Sequence, residues 1–411
     1  MINSDVIRFI IVGHVDHGKS TLIGRLLYET NSLPEDKIEE IKKTSKELGR
    51  DTEFAYLLDH LEEERTQGIT IDTTQVFFKT QQRGYVIIDA PGHVEFVKNM
   101  ITGASQAEAG VLIVDVKEGL KEQTRRHSFF LSLLGIKQII VVLNKMDLVD
   151  YSKERFEEVK KELESFFDSL GLIPLSYIPI SAYRGDNISK KSDKLNWFEG
   201  PAFLESLDAL KCRESKEKEP LILPIQDVYK IQDKRIAVGK IEAGRLRVAD
   251  LVRILPSGLK TKILSIEKFK ERPQEAVAGE SIGFTLKNDV FIERGSVVCS
   301  PFNGPSFTDN FSAIIFWFSK DEFSKEKRLQ IRCATQKTTC KVERIRERID
   351  SSTLNVIEED AEVLKNLEVA RVDIKTKKPL ALKNFSEVEE LGRFVLTEEG
   401  NICAGGIITS V

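Results

Sequence analysis

The sequence predicts an α/β domain built on a parallel sheet, followed by two antiparallel β-barrel domains. Short apolar runs alternate with helical patterns up to about residue 212, which is typical of a parallel sheet covered by helices on both faces. A glycine-bounded loop directly follows the first of these runs, a pattern that favours an open α/β sheet. Beyond residue 220 the pattern changes to short alternating runs separated by glycine and proline, which indicates small antiparallel barrels.

The predicted strands of the first part are short apolar runs. They are Phe9 to Val12, Tyr85 to Asp89, Val111 to Asp115, Ile139 to Asn144 and Tyr177 to Ser181. The segment from Tyr151 to Gly171 is typical of the helices between them, because its apolar residues recur at helical spacing and Gly171 is a helix stop.

Two polar segments divide the chain. The charged stretch 211–220 has no apolar period and predicts a linker, and the run from Asn303 to Ser306 marks a second boundary. We therefore expect domains at residues 1–212, 213–302 and 303–411. Within the last of them, the segment from Leu354 to Asn366 is expected to hold a helical turn or two.

The composition is that of a globular protein, with 411 residues of which 41% are apolar and 31% charged. The formal net charge of -4 gives no global reason to expect strong nucleic-acid binding, although a local basic surface would still allow it. The five cysteines are scattered and never form a Cys-x-x-Cys pair, so neither a disulfide framework nor a zinc site is indicated. Since no signal-like or membrane-length apolar run occurs, we expect a cytoplasmic protein without a membrane partner.

The glycine-bounded loop has the spacing of a P-loop, which cradles the phosphates of a nucleoside triphosphate with backbone N–H groups. Lys19 would reach the terminal phosphates and Ser20 would hold Mg²⁺, while the helix that begins near Lys19 adds the positive end of its dipole. The alternative is an ordinary glycine turn. The predicted nucleotide-binding loop comprises Gly13, His14, Val15, Asp16, His17, Gly18, Lys19, Ser20 and Thr21.

Two further motifs at strand ends select the base. Asp147, in the run Asn144-Lys145-Met146-Asp147, can accept two hydrogen bonds from N1 and the exocyclic amine of guanine, whereas adenine offers no such pair of donors. Ser181-Ala182 ends another strand and could place a backbone amide on the guanine oxygen. Either motif alone is more often a surface turn, but together they predict GTP. The expected fold class is therefore an α/β P-loop GTPase domain followed by two antiparallel β-barrel domains.

The segments between these motifs carry the expected switch on the γ-phosphate. Asp89 can hold Mg²⁺ through water, the amide of Gly92 can sense the γ-phosphate, and Thr70 offers the metal a second hydroxyl. The alternative for Thr70 is a strand threonine. His93 follows Gly92 directly and is the candidate for orienting the attacking water, its alternative being a histidine that only caps or packs a helix. Catalysis is thus expected from His93, Lys19 and Thr70, and metal binding from Ser20, Thr70 and Asp89.

These motifs resemble those of the translational GTPases of the elongation factor Tu and elongation factor 1-alpha group. The matching segments are Gly13 to Lys19, Gln67 to Ile71, Asp89 to His93 and Asn144 to Asp147. The resemblance covers essentially the full chain and implies a nucleotide domain followed by two β-domains. It also implies that Val15 and Ile69 form a hydrophobic gate in front of His93, the alternative being two ordinary packing residues.

Several segments are also similar to the GTPase subunit of the heterodimeric sulfate adenylyltransferase. They are residues 103–109, 123–129, 133–138, 144–152, 185–188, 197–201, 255–258, 336–340 and 345–346. The third domain lacks the histidine-rich segment expected in an elongation factor. The P-loop run His14 to His17 and the run Val94 to Phe96 are instead elongation-factor-like.

We therefore expect a GTPase that binds GTP and Mg²⁺ as the energy-coupling subunit of a sulfate adenylyltransferase (ATP sulfurylase). GTP hydrolysis would drive formation of adenylyl sulfate from ATP and sulfate on a partner, the small ATP-sulfurylase subunit, because this chain shows a single P-loop. The alternative is an elongation-factor-like GTPase that delivers aminoacyl-tRNA to the ribosome. Its phosphate-binding surface would be a basic cluster. Because acidic residues are interleaved with the basic ones, the alternative is that the cluster is a solvated strand face. The cluster comprises Lys325, Lys327, Arg328, Arg332, Lys337, Lys341, Arg344, Arg346 and Arg348.

Replacing His93 with alanine should slow GTP turnover strongly, by about 100-fold or more, because the side chain is expected to act on the attacking water. The affinity for GTP should stay nearly unchanged, since the histidine acts on the transition state more than on the bound ground state. Single-turnover hydrolysis and equilibrium GTP binding measure the two effects. Unchanged turnover would remove His93 from the mechanism.

Overall fold

The computed structural model describes residues 6–33, 75–89, 107–213, 215–231, 234–269, 271–288 and 290–411. The chain divides into two compact units, residues 1–213 and residues 214–411. Helices and strands are numbered along the described residues.

The first unit is an α/β layer structure. Its strands are β1 Val6–Gly13, β2 Gln75–Lys79, β3 Gly84–Asp89, β4 Ala109–Asp115, β5 Gln138–Asn144 and β6 Ser176–Pro179. Its α-helices are α1 Lys19–Glu29, α2 Glu122–Leu133, α3 Lys153–Ser169 and α4 Phe203–Asp208, with 3-10 turns at Met146–Val149 and Asp193–Leu195. The strands form one sheet in the order β2-β3-β1-β4-β5-β6.

The predicted parallel sheet is confirmed, and each predicted apolar run overlaps one of its strands. β3, β1, β4, β5 and β6 are parallel, whereas β2 pairs antiparallel with β3 at one edge and was not predicted. Every residue of β4 is buried, as expected for a central strand covered on both faces. In α3 the Ser152 hydroxyl accepts a hydrogen bond from the Arg155 N–H, and Gly171 follows the helix in the left-handed conformation.

The second unit begins with a small closed barrel. Its strands are β7 Ile222–Ile231, β8 Lys234–Lys240, β9 Arg245–Arg247, β10 Leu251–Leu255, β11 Lys260–Glu267, β12 Glu275–Val277, β13 Ser281–Leu286 and β14 Val297–Cys299. The barrel order is β10-β11-β13-β8-β7-β14, and β9 pairs with β12 separately. A 3-10 turn at Lys216–Lys218 precedes the barrel.

A second ring of strands follows in the same unit. It contains β15 Ser306–Trp317, β17 Leu329–Cys333, β18 Gln336–Asp350, β19 Val356–Glu359, β21 Glu368–Leu382, β22 Arg393–Glu398 and β23 Asn401–Ser410. The short strands β16 Phe323–Ser324 and β20 Val363–Leu364 pair with each other separately, and a short helix α5 spans Glu389–Gly392. The order is β17-β22-β23-β15-β21-β18-β19, and an additional β17–β18 pairing closes the ring while β19 extends it along β18. We call this ring the second barrel.

The second barrel encloses three cysteines among its apolar side chains. Cys333, Cys340 and Cys403 belong to its core, and burial raises the pKa of each thiol to about 12. These thiols are therefore protonated packing groups at neutral pH.

The expectation of helical turns between Leu354 and Asn366 is wrong, because the segment contains the strands β19 and β20. β19 lies along the end of β18, with Arg348 opposite Glu358 and Ile349 opposite Val356. β19 thus pairs its backbone hydrogen bonds with the end of β18, which would otherwise be an open strand edge.

The predicted domain boundaries at residues 212/213 and 302/303 stay predictions. Among the described residues, no helix is long and apolar enough to cross a membrane.

Replacing Ile345 with alanine should lower the free energy of unfolding by about 2–5 kcal/mol, because its side chain lies in the core of the second barrel and truncation leaves a cavity. The matched change Ile357→Ala should cost at most about 0.5 kcal/mol, since Ile357 is exposed on β19. Urea unfolding, followed by the fluorescence of buried Trp317 in a Trp197→Phe background, measures both. Equal costs for the two variants would contradict this packing.

Candidate functional site

The predicted P-loop connects β1 to α1. β1 ends at Gly13, and the turn beyond it is closed by a 3.3 Å hydrogen bond from the His17 N–H to the His14 carbonyl. Gly18 precedes the helix with φ 91°, a left-handed conformation that glycine adopts without strain. The N–H groups of the first helical turn have no partner within the helix, so this end can bind an anion.

Two glycines allow the loop to lie directly on the edge of the sheet. A Cβ atom at Gly18 would overlap Nδ2 of Asn144, and one at Gly13 would overlap the side chain and carbonyl of Ile113. A side chain at either position would therefore push the loop away from β4 and β5. The glycine spacing of the motif has a steric reason here as well as a conformational one.

Lys19 folds back across the loop that precedes it. Its Nζ donates to the carbonyl oxygens of Gly13 at 3.1 Å and His14 at 3.3 Å. Ser20 and Thr21 follow in the first turn of α1, where both are half-buried. An ammonium group and two hydroxyls beside a helix N-terminus fit the phosphates and Mg²⁺ of a nucleotide. The individual roles of these residues stay predictions.

The side chain of His17 packs beneath the loop. Its ring is fully buried, lies 5.1 Å from the ring of His14, and has Nδ1 3.4 Å from the Ile113 carbonyl oxygen. Burial lowers the pKa of His17 to about 4, so the ring is neutral at pH 7 and its 3.7 Å approach to Glu118 is not an ion pair. Only the backbone of His17 remains for a nucleotide, and its side chain supports the loop from below.

The tip of the loop is exposed. Val15 is 57% exposed, and its N–H donates to Oε1 of Gln123 on α2 at 3.2 Å. Asp16 beside it has φ 62° and is exposed. Gln123 was not predicted as part of the site, because its position on a separate helix leaves no local signal in the sequence.

Asn144 joins the P-loop to the predicted base-binding segment. Its Nδ2 donates to the His17 carbonyl at 2.9 Å, and its Oδ1 accepts the Ala182 N–H at 2.9 Å. Because Asn144 is only 2% exposed, both bonds are protected from water. The Ala182 N–H thus already donates to Asn144. A guanine oxygen bound to the same N–H would have to share this donor with Asn144. The side chain of Asn144 acts on the loops rather than pointing at a base.

Asp147 and Ser181, predicted from separate motifs, are in contact. The Ser181 hydroxyl donates to Oδ1 of Asp147 at 2.5 Å. Among the described residues, Oδ2 of Asp147 accepts no hydrogen bond, and the side chain is half-buried. This arrangement presents one oriented carboxylate edge, as recognition of two adjacent N–H donors requires.

Lys145 forms an ion pair with the end of a neighbouring strand. Its backbone has φ 65°, and its Nζ lies 2.8 Å from Oδ2 of Asp115 at the end of β4. The Asp115 side chain is 3% exposed and also accepts the Lys117 N–H at 2.8 Å. Sequence reasoning placed Asp115 at the end of a buried strand and missed its role, although an acidic residue at that edge was the available signal.

Thr70, Gly92 and His93 lie outside the described residues, as does Ile69, so their predicted roles stay predictions. Asp89 is the last residue of β3, and its backbone lies opposite Ile11 of β1. This register places Asp89 at the carboxyl edge of the parallel strands, the edge from which the P-loop also starts. Ligands of open α/β sheets bind at this edge.

All three portions of the chain match family models. Residues 4–232 match the model described as Elongation factor Tu GTP binding domain, residues 234–299 match Elongation factor Tu domain 2, and residues 310–409 match GTP-eEF1A C-terminal domain-like. The first match alone covers more than half of the 411 residues. This chain belongs to the elongation factor Tu/elongation factor 1-alpha family of GTPases.

Relatives named Elongation factor 1-alpha align along nearly the whole chain. The protein from Pyrococcus furiosus is 40% identical over 420 residues, which covers 98% of this chain and 97% of the relative. The protein from Methanopyrus kandleri is 41% identical over 424 residues with the same coverage, and that from Archaeoglobus fulgidus is 40% identical over 404 residues, covering 97% and 96%. A solved structure of sup35 complexed with GMPPNP covers 100% of this chain and 95% of its own at 24% identity and a TM-score of 0.47, which adds nothing to the assignment.

The prediction of a sulfate adenylyltransferase subunit is wrong. These three relatives, which cover 97–98% of the chain, are elongation factors 1-alpha, and nothing in these matches supports an ATP-sulfurylase partner. The broader prediction is confirmed, since proteins of this family bind GTP with Mg²⁺ and hydrolyse GTP. The elongation-factor-like P-loop run, His14 to His17, was therefore a better guide than the segments similar to the adenylyltransferase subunit.

The change Gly18→Ala should lower the affinity for GTP at least about tenfold, because its Cβ overlaps Asn144 in addition to straining the backbone. Gly171→Ala is the matched control, since Gly171 has φ 63° and no atom within 4 Å of an added Cβ. Calorimetry with GTP compares the two variants. An equal loss of affinity in both variants would mean that general destabilisation by a left-handed alanine, rather than contact with Asn144, causes the effect.

The change Asp147→Asn should shift the preference from guanine to xanthine nucleotides by about 100-fold or more, since the amide can donate to the second oxygen of xanthine. Competition between GTP and xanthosine triphosphate measures the shift. Asp168→Asn, on the exposed face of α3, is the control. Retained GTP selectivity in the Asp147 variant would mean that the base lies elsewhere.

Proposed function

We propose that this chain is a translational GTPase of the elongation factor 1-alpha type, which carries aminoacyl-tRNA to the ribosome in its GTP-bound form. The observation that carries this proposal is the similarity to elongation factors 1-alpha over 98% of the chain, at 40% identity, including both β-domains. A shared nucleotide domain alone would support only GTP binding. The proposed place of action is accordingly the cytoplasm.

The site at the edge of the sheet supports a GTP-dependent switch. Lys19 lies at the loop, and the Asp147–Ser181 pair is oriented for guanine. In the proposed GTP-bound form, Ser20, Thr70 and Asp89 hold Mg²⁺, which neutralises phosphate charge. The segments that carry Thr70 and Gly92 would change shape on loss of the γ-phosphate and so weaken tRNA binding.

The basic cluster predicted on the second barrel separates into two classes of side chain. Five members form ion pairs with acidic residues and match the description of a solvated strand face. These are Lys325 with Glu362, Lys327 with Glu398, Arg344 with Asp360, Arg346 with Asp373, and Arg348 with Glu358 and Glu368. The paired charges add little net positive potential, so they are poor candidates for phosphate binding.

The remaining members lie on the outer face without an acidic partner among the described residues. They are Arg328, Arg332, Lys337 and Lys341, and all four are exposed. Arg332 lies opposite Lys337 on neighbouring strands. Lys341 lies opposite Lys375, which is 3.9 Å from Glu343. Like charges facing each other across a sheet, as Arg332 and Lys337 do, are destabilising unless an anion compensates them. We infer that this patch, with Lys337 and Lys341 on one face of β18, contacts the RNA phosphates.

Binding of aminoacyl-tRNA at increasing salt tests the proposal. The GTP-bound protein should bind much more tightly than the GDP-bound protein, and the variant Lys337→Ala/Lys341→Ala should reduce the slope of log K against log salt by about 2. The paired residues provide a matched control, because Lys325→Ala/Lys327→Ala should leave the slope nearly unchanged. Failure of the GTP-bound protein to bind aminoacyl-tRNA would overturn the proposed function.

A further inference from the structure

A hydrogen-bonded cluster is connected to the Asp147–Ser181 pair, and no role was predicted from the sequence for its residues. We define the Tyr151 cluster as Tyr151, Asp186, Ser192 and Lys194. The Tyr151 hydroxyl donates to Oδ2 of Asp186 at 2.5 Å, and Ser192 donates to Oδ1 at 2.8 Å. Lys194 Nζ lies 3.1 Å from Oδ2 of Asp186 and 3.2 Å from the Tyr151 hydroxyl. Both carboxylate oxygens of Asp186 are thus held.

The charge of Asp186 suits this arrangement. Burial by itself would raise the pKa of Asp186, but the hydrogen bonds from Tyr151, Ser192 and Lys194 outweigh burial and hold the pKa below its usual range. The carboxylate is therefore ionised at neutral pH and accepts charge-assisted hydrogen bonds.

The first arm of the cluster leads to Asp147 along the chain. Asp150 and Tyr151 have φ 49° and 57°, so two consecutive non-glycine residues are left-handed directly after the turn that holds Asp147. Such residues persist only when their surroundings hold them. The Tyr151 N–H donates to the Met146 carbonyl at 2.9 Å, and the Tyr151 carbonyl accepts from Nε1 of Trp197 at 2.9 Å. The hydroxyl bond to Asp186 completes the attachment.

The second arm leads to Ser181. The N–H of Ser181 donates to the Asp186 carbonyl at 3.2 Å, and the N–H of Asp186 donates back to the Ser181 carbonyl at 3.1 Å. Ser181 and Asp186 therefore belong to one tight turn. The Ser181 hydroxyl also accepts the Arg184 N–H at 3.1 Å while donating to Asp147. The chain from Asp147 to Tyr151, together with the hydrogen bonds from Tyr151 to Asp186, between Asp186 and Ser181, and from Ser181 to Asp147, thus forms a closed circuit.

We propose that Tyr151 and Asp186 are positioning residues for base selection, which orient the Asp147 carboxylate toward guanine through this circuit without touching the nucleotide. The inference rests on the proposed contact between Asp147 and guanine. Loss of the Tyr151 hydroxyl releases the turn after Asp147, and the carboxylate then meets the two guanine donors less often in the productive geometry.

Discrimination between GDP and inosine diphosphate gives a readout that a merely structural role would not move. Inosine diphosphate lacks the exocyclic amine, so it makes one of the two bonds to Asp147 and depends less on the orientation of the carboxylate. Tyr151→Phe should lower the affinity for GDP about three- to thirtyfold and reduce the ratio of the GDP and inosine diphosphate affinities at least about threefold. Competition binding on the full chain measures both affinities.

The chain offers a matched control. The hydroxyl of Tyr177 on β6 is buried and has no hydrogen-bond partner among the described residues, so Tyr177→Phe should leave both affinities unchanged. Lys194→Met is the second variant, because Lys194 is exposed and its loss weakens the cluster without creating a cavity. It should reduce the affinity ratio in the same direction by a smaller factor.

The outcomes separate this inference from the base contact itself. If Asp147→Asn does not gain affinity for xanthosine diphosphate, the contact between Asp147 and the base is wrong. If Asp147→Asn does gain that affinity, but Tyr151→Phe lowers binding of GDP and inosine diphosphate equally or of neither, the positioning role is overturned and the base contact stands. A reduced ratio in Tyr151→Phe and Lys194→Met, with none in Tyr177→Phe, supports the proposal.

Discussion

The buried amide of Asn144 is the interaction on which the candidate site depends. One side chain donates to the P-loop at His17 and accepts from the base-binding segment at Ala182, each at 2.9 Å. A buried amide that lost either partner would carry an unsatisfied polar group, which costs about 1–3 kcal/mol. The two loops therefore keep a common geometry. Gly18 is part of the same constraint, since a larger residue would occupy the space of the Asn144 amide.

A similar principle orders the surroundings of Asp147. Its carboxylate accepts the Ser181 hydroxyl, and the turn that follows it is closed by the bond from the Tyr151 N–H to the Met146 carbonyl. The costs of left-handed residues at Lys145, Asp150 and Tyr151 are offset by ion pairs and hydrogen bonds that only this fold supplies. Backbone strain of this kind occurs at several turns of the described chain, and two of the strained residues, Asp150 and Tyr151, are consecutive beside the proposed base site.

Three of the segments that favoured a sulfate adenylyltransferase have structural explanations. The Gln336 side chain is buried and forms two hydrogen bonds with the backbone of Ala381, at 2.8 and 2.9 Å, which fixes β18 against β21. Ser257 and Gly258 close a turn in which the Ser257 hydroxyl donates to the Ile254 carbonyl. Trp197 donates to Tyr151 and packs on Phe156. Residues that serve a shared fold in this way are poor guides to one branch of a family, and the full-length relatives correct the choice.

The sequence by itself determined the parallel sheet, the P-loop and the residues at strand ends, because these follow from local periodicity, glycine spacing and chain order. It also identified Asp147 and Ser181 as one constellation, since parallel strands bring their carboxyl ends to one edge. Only the tertiary structure decided that His17 packs inward, that Lys145 pairs with Asp115, and that β19 and β20 replace the expected helical turns. It alone divided the basic cluster into paired and unpaired side chains. Those outcomes depend on contacts between residues far apart in the chain, and a local signal such as the acidic residue at the end of β4 does not identify the partner.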